Sequence, residues 1–185
     1  MRIISGKARG TKLYTLEGEN TRPTLDRVKE SLFSIIQNNL QDAIVIDLFS
    51  GSGALGLECL SRGASKAYLC DKSPNAVEII KKNIQKTHMN NNTIVLNMDY
   101  KKSIEKINEE ADIIFIDPPY KSNIATDAIE IITNKKILRK NGIIVLETDD
   151  EKREIEQLKN NIKIEIIDFR TYGRVKLIFL KWKEE

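Results

Sequence analysis

Four consecutive residues, Asp117-Pro118-Pro119-Tyr120, combine an acid, two rigid imino acids and an aromatic ring in an order suited to holding an amine. The prolines remove two backbone donors and keep the chain extended. They present the Pro118 carbonyl and the Asp117 carboxylate as acceptors, and a base amine offers two N–H groups to meet them. With both hydrogens held, the amine lone pair, normally delocalised into the ring, can develop toward an electrophile. Tyr120 adds a face on which an extruded base can stack. An isolated tetrad of this kind could equally be a rigid turn with a core tyrosine. Its position after the apolar run ADIIFI and downstream of a glycine loop favours the chemical reading, so Asp117, Pro118, Pro119 and Tyr120 form the expected catalytic set.

The glycine loop is Asp47-Leu-Phe-Ser-Gly51-Ser-Gly53-Ala-Leu-Gly56, a literal G-x-G-x-x-G between a strand-like and a helix-like segment. Such a loop makes a tight turn and lets the backbone approach a nucleoside-bearing ligand. Asp71 ends the next strand-like run, where a carboxylate can accept hydrogen bonds from a ribose diol. Asp99 ends the third and can take an adenine amino group, although an acid at that place is also an ordinary helix N-cap. Asp47, Asp71 and Asp99 together carry more weight than any one of them. Phe49, Ser52, Lys72 and Tyr100 adjoin these positions and complete the expected cofactor-binding set. NAD and S-adenosylmethionine both satisfy the glycine loop and Asp71, whereas only a methyl donor gives the Asp-Pro-Pro-Tyr tetrad work to do.

Positioning these residues requires an alternation of strands and helices. From Ala43 onward the chain supplies AIVIDLF, AYLCD, TIVLNMD, ADIIFID and GIIVLET as strands. The helices between and after them are ALGLECLSRG, PNAVEIIKKNIQKT and the segments around Ile104, Ile129 and Leu158. Ser73 is the expected N-cap of the second of these, with Pro74 at its first position. KIEIIDF and RVKLIFLKW, separated by little more than TYG, read as a closing antiparallel hairpin. The pattern predicts an α/β fold of Rossmann-like type, a mostly parallel seven-stranded sheet with helices on both faces. Ligands of such sheets bind beyond the carboxyl ends of the strands, where the acids lie. Residues 23–185 form the expected core. Residues 1–22 form a basic arm in which MRIIS and KLYTL make a short hairpin, and Thr24 is the expected cap of the first core helix, with Leu25, Val28, Leu32, Ile35 and Ile36 on its buried face.

The 185 residues suit one domain, and 41% hydrophobic with 31% charged residues is an ordinary globular balance. No apolar run is long enough to span a bilayer and MRIISGKARG lacks a signal-peptide core, so a cytoplasmic protein is expected. Cys59 and Cys70 are too few and too far apart for a disulfide framework or zinc site; they read as small buried hydrophobes, and no metal is expected. His88 follows a helix and reads as a surface residue. The net charge is only +3, but Arg2, Lys7, Arg9, Lys12, Arg22, Arg27 and Lys29 crowd the N-terminal segment. Such a cluster can neutralise nucleic-acid phosphates or be a solvated basic face, and charge alone leaves the two even.

Taken together, RIISGKARGTKL, RPTLDRVKESLF (22–33), DLFSGSGALGLECLSRGA (47–64), DPPY and the strand pair around TYGRV resemble the bacterial 16S rRNA guanine-N2 methyltransferase family of the RsmD type, over essentially the whole chain. The RPTxDRVKE-x-LF block is the family-specific part. The resemblance implies an S-adenosylmethionine cofactor with Asp47 and the 51–56 loop at its methionine end, Asp71 at the ribose and Asp99 at the adenine. It implies that Asp117, Pro118 and Tyr120 position the guanine amine. Arg22, Thr24, Arg27 and Lys29 then lie near cofactor or RNA, and Arg2, Lys7 and Arg9 join them as expected substrate contacts. The implied partner is 16S rRNA in an assembling or assembled small subunit, and nothing demands more than a monomer. Other classes share parts of this pattern: a DNA adenine-N6 methyltransferase the tetrad, an NAD-dependent oxidoreductase the glycine loop with Asp71, and a non-catalytic RNA-binding module the basic arm.

Overall fold

The computed structural model describes residues 1–16, 23–119, 123–159, 161 and 163–184, with backbone only at 23–25. Arg22 and Tyr120 therefore lie outside the described residues, as do the side chains of Thr24 and Leu25. Seven strands form one sheet: β1 (Ile44–Asp47), β2 (Lys66–Cys70), β3 (Thr93–Leu96), β4 (Ala111–Ile116), β5 (Leu138–Thr148), β6 (Ile164–Tyr172) and β7 (Val175–Trp182), in the order β3-β2-β1-β4-β5-β7-β6. The first five are parallel, and β7 runs antiparallel to both β5 and β6. This is the expected Rossmann-like arrangement, with its switch in strand order between β1 and β4.

Both faces are covered, which is why the central strands read as unbroken apolar runs. Val45, Ile113, Phe115, Val145 and Phe179 face one core, completed by α1 (Pro23–Ile35), α2 (Ala54–Ser61) and α3 (Pro74–Thr87). Ile46, Ile114, Ile116, Ile144 and Leu146 face the other, completed by α4 (Tyr100–Lys106), α5 (Ile124–Lys135) and α6 (Glu151–Leu158). Cys59 and Cys70 are buried free thiols and His88 is exposed, as expected. Ser73 caps α3 by accepting from the Ala76 N–H, with Pro74 at the first helical position.

Three boundaries differ from expectation. α1 already includes Pro23, so Thr24 sits in its first turn rather than at its cap; proline suits that opening position because the first turn's N–H groups have no helical partner. β5 starts at Leu138 rather than near Gly142, since Leu138 already pairs with Ala111 before the register shifts and Ile143 pairs with Ile113. β6 continues through Tyr172, leaving Gly173 and Arg174 as a two-residue turn with Gly173 at φ 62°. Among the described residues no helix is long and apolar enough to cross a membrane.

The N-terminal segment is a minimal hairpin, bridged antiparallel at Arg2 and Lys12 and then docked on α2. The Ile4 and Ser5 N–H groups donate to the Glu58 carboxylate at 2.8 and 3.0 Å, and the Ala8 N–H to the Ser61 hydroxyl at 2.9 Å. Glu58 is fully buried and also takes the Lys29 ammonium at 3.0 Å and the Arg62 guanidinium at 2.8 Å. Its acceptor sites are thus filled by four donors from three parts of the chain. Removing one partner of a buried ion pair leaves an uncompensated charge, here Lys29. Glu58→Ala should therefore lower unfolding stability in urea by about 3–5 kcal/mol, and hydrogen exchange should show residues 1–13 losing protection before the sheet does.

Candidate active site at the carboxyl edge of the sheet

β1, β4 and β5 end together because their parallel registers are locked: Asp47 pairs with Phe115, Phe115 with Val145, and Ile116 with Leu146. Side chains alternate along a strand, so Asp47, Asp117 and Glu147 rise from the same face as Val45, Phe115 and Val145. Where that face leaves the apolar core it becomes acidic, and all three carboxylates line one cavity of about 310 Å³. Phe49, Gly51, Ser52 and Ala54 also line it, as do Val28, Lys29 and Leu32 of α1, with Met1 and Thr15. Phe49, Gly51 and Asp117 also line an adjoining cavity of about 630 Å³, shared with Asp71, Lys72, Asp99, Tyr100, Pro118 and Pro119. The two spaces are halves of one cleft, each within the range of small-molecule sites.

Each glycine of the loop has its own reason. Gly51 and Gly53 have φ of 54° and 80°, a left-handed backbone that costs glycine little. Gly56 passes so close to β2 that a Cβ would lie 2.3 Å from the Leu69 side chain. Asp71 organises this loop rather than merely facing it: one carboxylate oxygen accepts the Gly51 N–H at 2.9 Å and the other the Ser73 N–H at 2.8 Å. Two oxygens carry about four lone-pair sites, so acceptor capacity remains for a diol. Asp99 caps α4 by accepting the Lys102 N–H at 3.0 Å while lining the larger cavity. The two sequence readings of Asp99 are thus compatible. Tyr100 donates to Asp127 at 2.6 Å, and its ring lies 5.7 Å from that of Phe49, making an aromatic wall. Burial and the Asp127 carboxylate push the Tyr100 hydroxyl well above its ordinary range, so it stays a donor.

Two carboxyls in the smaller cavity hold their protons unusually long. Burial pushes Asp47 up to about 7, only partly offset by the Ser50 hydroxyl and the N–H groups of Phe49 and Gly56. Burial likewise raises Glu147 to about 7. A cationic ligand group reaching Asp47 would restore its charge.

The cleft brings together Asp47, Phe49, Gly51, Ser52, Asp71, Lys72, Asp99, Tyr100, Asp117, Pro118 and Pro119. The expected substrate cations are spread more widely. Arg2, Lys7, Arg9 and Arg27 are exposed; Arg2 pairs with Asp26 at 3.2 Å, and Lys7 borders a separate depression with Lys86 and His88. Lys29 is 5% exposed, gives its ammonium to Glu58 and to the Arg2 carbonyl, and has its pKa lowered by burial. It braces the arm and the cleft wall, and its charge is withdrawn from the surface. Glu147 is absent from the expected set, although it stands next to last in β5, near the carboxyl end as Asp47 is in β1. The rule that selected the other edge acids points to it.

Both raised carboxyls stay protonated in the folded chain over a range in which the unfolded chain has released them. The stability they confer is present below pH 4 and is lost as pH rises through about 7. Urea midpoints of the ligand-free protein should accordingly fall between pH 5 and 7.5. Asp47→Asn and Glu147→Gln should each remove part of that slope, and an unchanged slope in both variants would contradict the burial argument.

Comparison with known proteins agrees with this arrangement. The family model described as "Conserved hypothetical protein 95" matches residues 1–181. The chain is 34% identical over 176 residues to the putative rRNA methyltransferase YlbH of Bacillus subtilis, covering 94% of each. It is 36% identical over 156 residues to ribosomal RNA small subunit methyltransferase D of Haemophilus influenzae, covering 82% of this chain and 80% of that one. The solved structure of the putative methyltransferase yhhF from Escherichia coli superposes with a TM-score of 0.82 at 25% identity, over 100% of this chain and 99% of that one. The likeness thus extends from the arm to the closing hairpin, and the chain belongs to the conserved hypothetical protein 95 family, that of ribosomal RNA small subunit methyltransferase D.

Proposed function

We propose that this chain transfers a methyl group from S-adenosylmethionine to the exocyclic N2 amine of a guanine in small-subunit 16S rRNA. The observation that carries the chemistry is that Asp117 lines both halves of the glycine-loop cleft, with Pro118 beside it in the larger half. The donor set suits the cofactor. The larger cavity offers Asp71 to a ribose diol, Asp99 to an adenine amine and apolar Leu48, Ala76 and Ile124 to a purine ring. Asp47 offers a carboxylate to the methionine ammonium beside the backbone of Gly51 and Ser52. When bound there, the sulfonium supplies an electrophilic methyl with a good leaving group.

The protein's own contribution is orientation. The Asp117 carboxylate and the Pro118 carbonyl accept the two amine hydrogens and turn the nitrogen lone pair out of the ring plane. Tyr120 stacks on the base. Holding the reactants in line supplies most of the acceleration, as expected where the leaving group needs no activation. Once nitrogen has bonded to carbon it is cationic and its two protons are acidic; one passes to Asp117 or to water and the other stays in the product, so no strong general base is required. RNA as substrate is supported by the names of the relatives, and the exposed Arg2, Lys7, Arg9 and Arg27 are suited to phosphate contact. Such an enzyme works on the subunit in the cytoplasm, as a monomer.

Asp117→Ala should lower transfer by about 10²–10³-fold or more while leaving S-adenosylhomocysteine affinity, read by calorimetry, largely unchanged. Mass-spectrometric mapping of small-subunit rRNA from cells with and without the gene should show one N2-methylguanosine lost. An unaltered nucleoside map would refute the RNA assignment, and a fully active Asp117→Ala would refute the chemistry.

A further inference from the structure

An amine held by an acid and a prolyl carbonyl does not by itself identify the base, since adenine and guanine both carry one. We propose that Glu147 selects guanine by accepting the ring N1–H, next to the amine held by Asp117. The proposal rests on the reading of guanine as target. It assigns to this chain the group that makes that choice.

The sheet places Glu147 for this task. It stands one step beyond the Ile116–Leu146 pair, beside Asp117, which is one step beyond on the neighbouring strand. Neighbouring strands are about 4.8 Å apart. β1, with Asp47 and the glycine loop, lies on the other side of β4. The order along the edge is therefore cofactor acid, amine acid, Glu147, so Glu147 lies on the side of the amine away from the glycine loop. All three line the same cavity. The Glu147 side chain makes no hydrogen bond or ion pair among the described residues, and burial raises its pKa. The one lysine in that wall, Lys29, is committed to Glu58 and the Arg2 carbonyl. A half-buried carboxylate without a partner is costly unless a ligand donor meets it.

Guanine's Watson–Crick edge carries an N1–H donor beside the N2 amine. Adenine has a lone pair at its ring N1, and Glu147 in its ionised form, which prevails above about pH 7, repels that lone pair. One side chain thus attracts the right base and rejects the other. Enzymes that take a base out of its stack read this edge by hydrogen bonds.

The probe is 2-aminopurine, which keeps the N2 amine but has a lone pair at N1. It is placed at the mapped target position of the small-subunit rRNA, and transfer is compared with the guanine substrate. Wild-type protein, assayed at about pH 8.5 where Glu147 is ionised, should prefer guanine roughly 1,000-fold. In Glu147→Gln the amide can accept from guanine or donate to 2-aminopurine, and the preference should narrow to within about tenfold. Any intrinsic difference between the two amines cancels when the two proteins are compared. S-adenosylhomocysteine affinity should be unchanged by the substitution. An undiminished guanine preference in Glu147→Gln overturns the proposal while leaving the target reading intact. Loss of S-adenosylhomocysteine binding with an unaltered preference overturns it in favour of a cofactor contact. Absence of any guanine-N2 product from wild-type protein defeats the target reading itself.

Discussion

In a parallel ladder, partner residues on neighbouring strands face the same way, so pairing set in the middle of a sheet also decides which side chains meet at its end. Here Val45, Ile113 and Phe115 set that pairing within a packed core, and a shift of one residue in β4 would turn Asp117 to the opposite face. The acids at the edge contribute nothing to that choice. Apolar burial several residues away fixes their spacing, and it resists change because every register error would expose a phenylalanine or an isoleucine. The sheet accordingly sets the spacing of the acids, and the glycine loop completes the lining of the cleft.

That arrangement has an electrostatic cost the fold must absorb. Asp47 and Glu147 are drawn out of water with no basic side chain paired to them among the described residues, and both respond by keeping their protons. Near neutral pH the cleft carries less negative charge than its composition suggests. The nearby buried lysine, which would be their obvious counter-ion, is instead committed to Glu58. The cationic arm is thereby held against the molecule without neutralising the cleft, and the acids keep their acceptor capacity for a ligand.

Much of this was legible in the sequence because the signals are local. The unbroken apolar runs gave the strands, Ser73 and Pro74 the start of α3, and the glycine spacing its loop. Acids following strands gave Asp47, Asp71 and Asp99. What escaped depends on contacts between distant segments. Lys29 reads as one of several N-terminal cations, and only the packing of α1 on α2 shows that it meets Glu58. Asp71 reads as a ligand contact, but its bonds to Gly51 and Ser73 show that it also shapes the loop. Glu147 was within reach of the edge-acid rule. Thr148, Asp149 and Asp150 follow it, and this polar run hides the strand end that gives the acid its meaning.

The docking of the N-terminal hairpin has a consequence for biosynthesis. Its partners are Glu58, Ser61 and Asn83, the last holding the Tyr14 backbone through two hydrogen bonds. The hairpin thus emerges ahead of the helices on which it docks, and its binding place is incomplete until α3 has emerged. During that interval its apolar Ile3 and Leu13 are exposed and its basic residues are unrestrained, on the surface of an RNA-rich particle. Once it docks, Met1 and Thr15 line the cleft. This segment is therefore built into the binding site well after its own synthesis, and the cleft that it lines is unfinished until Glu147 and Val175 have also been made.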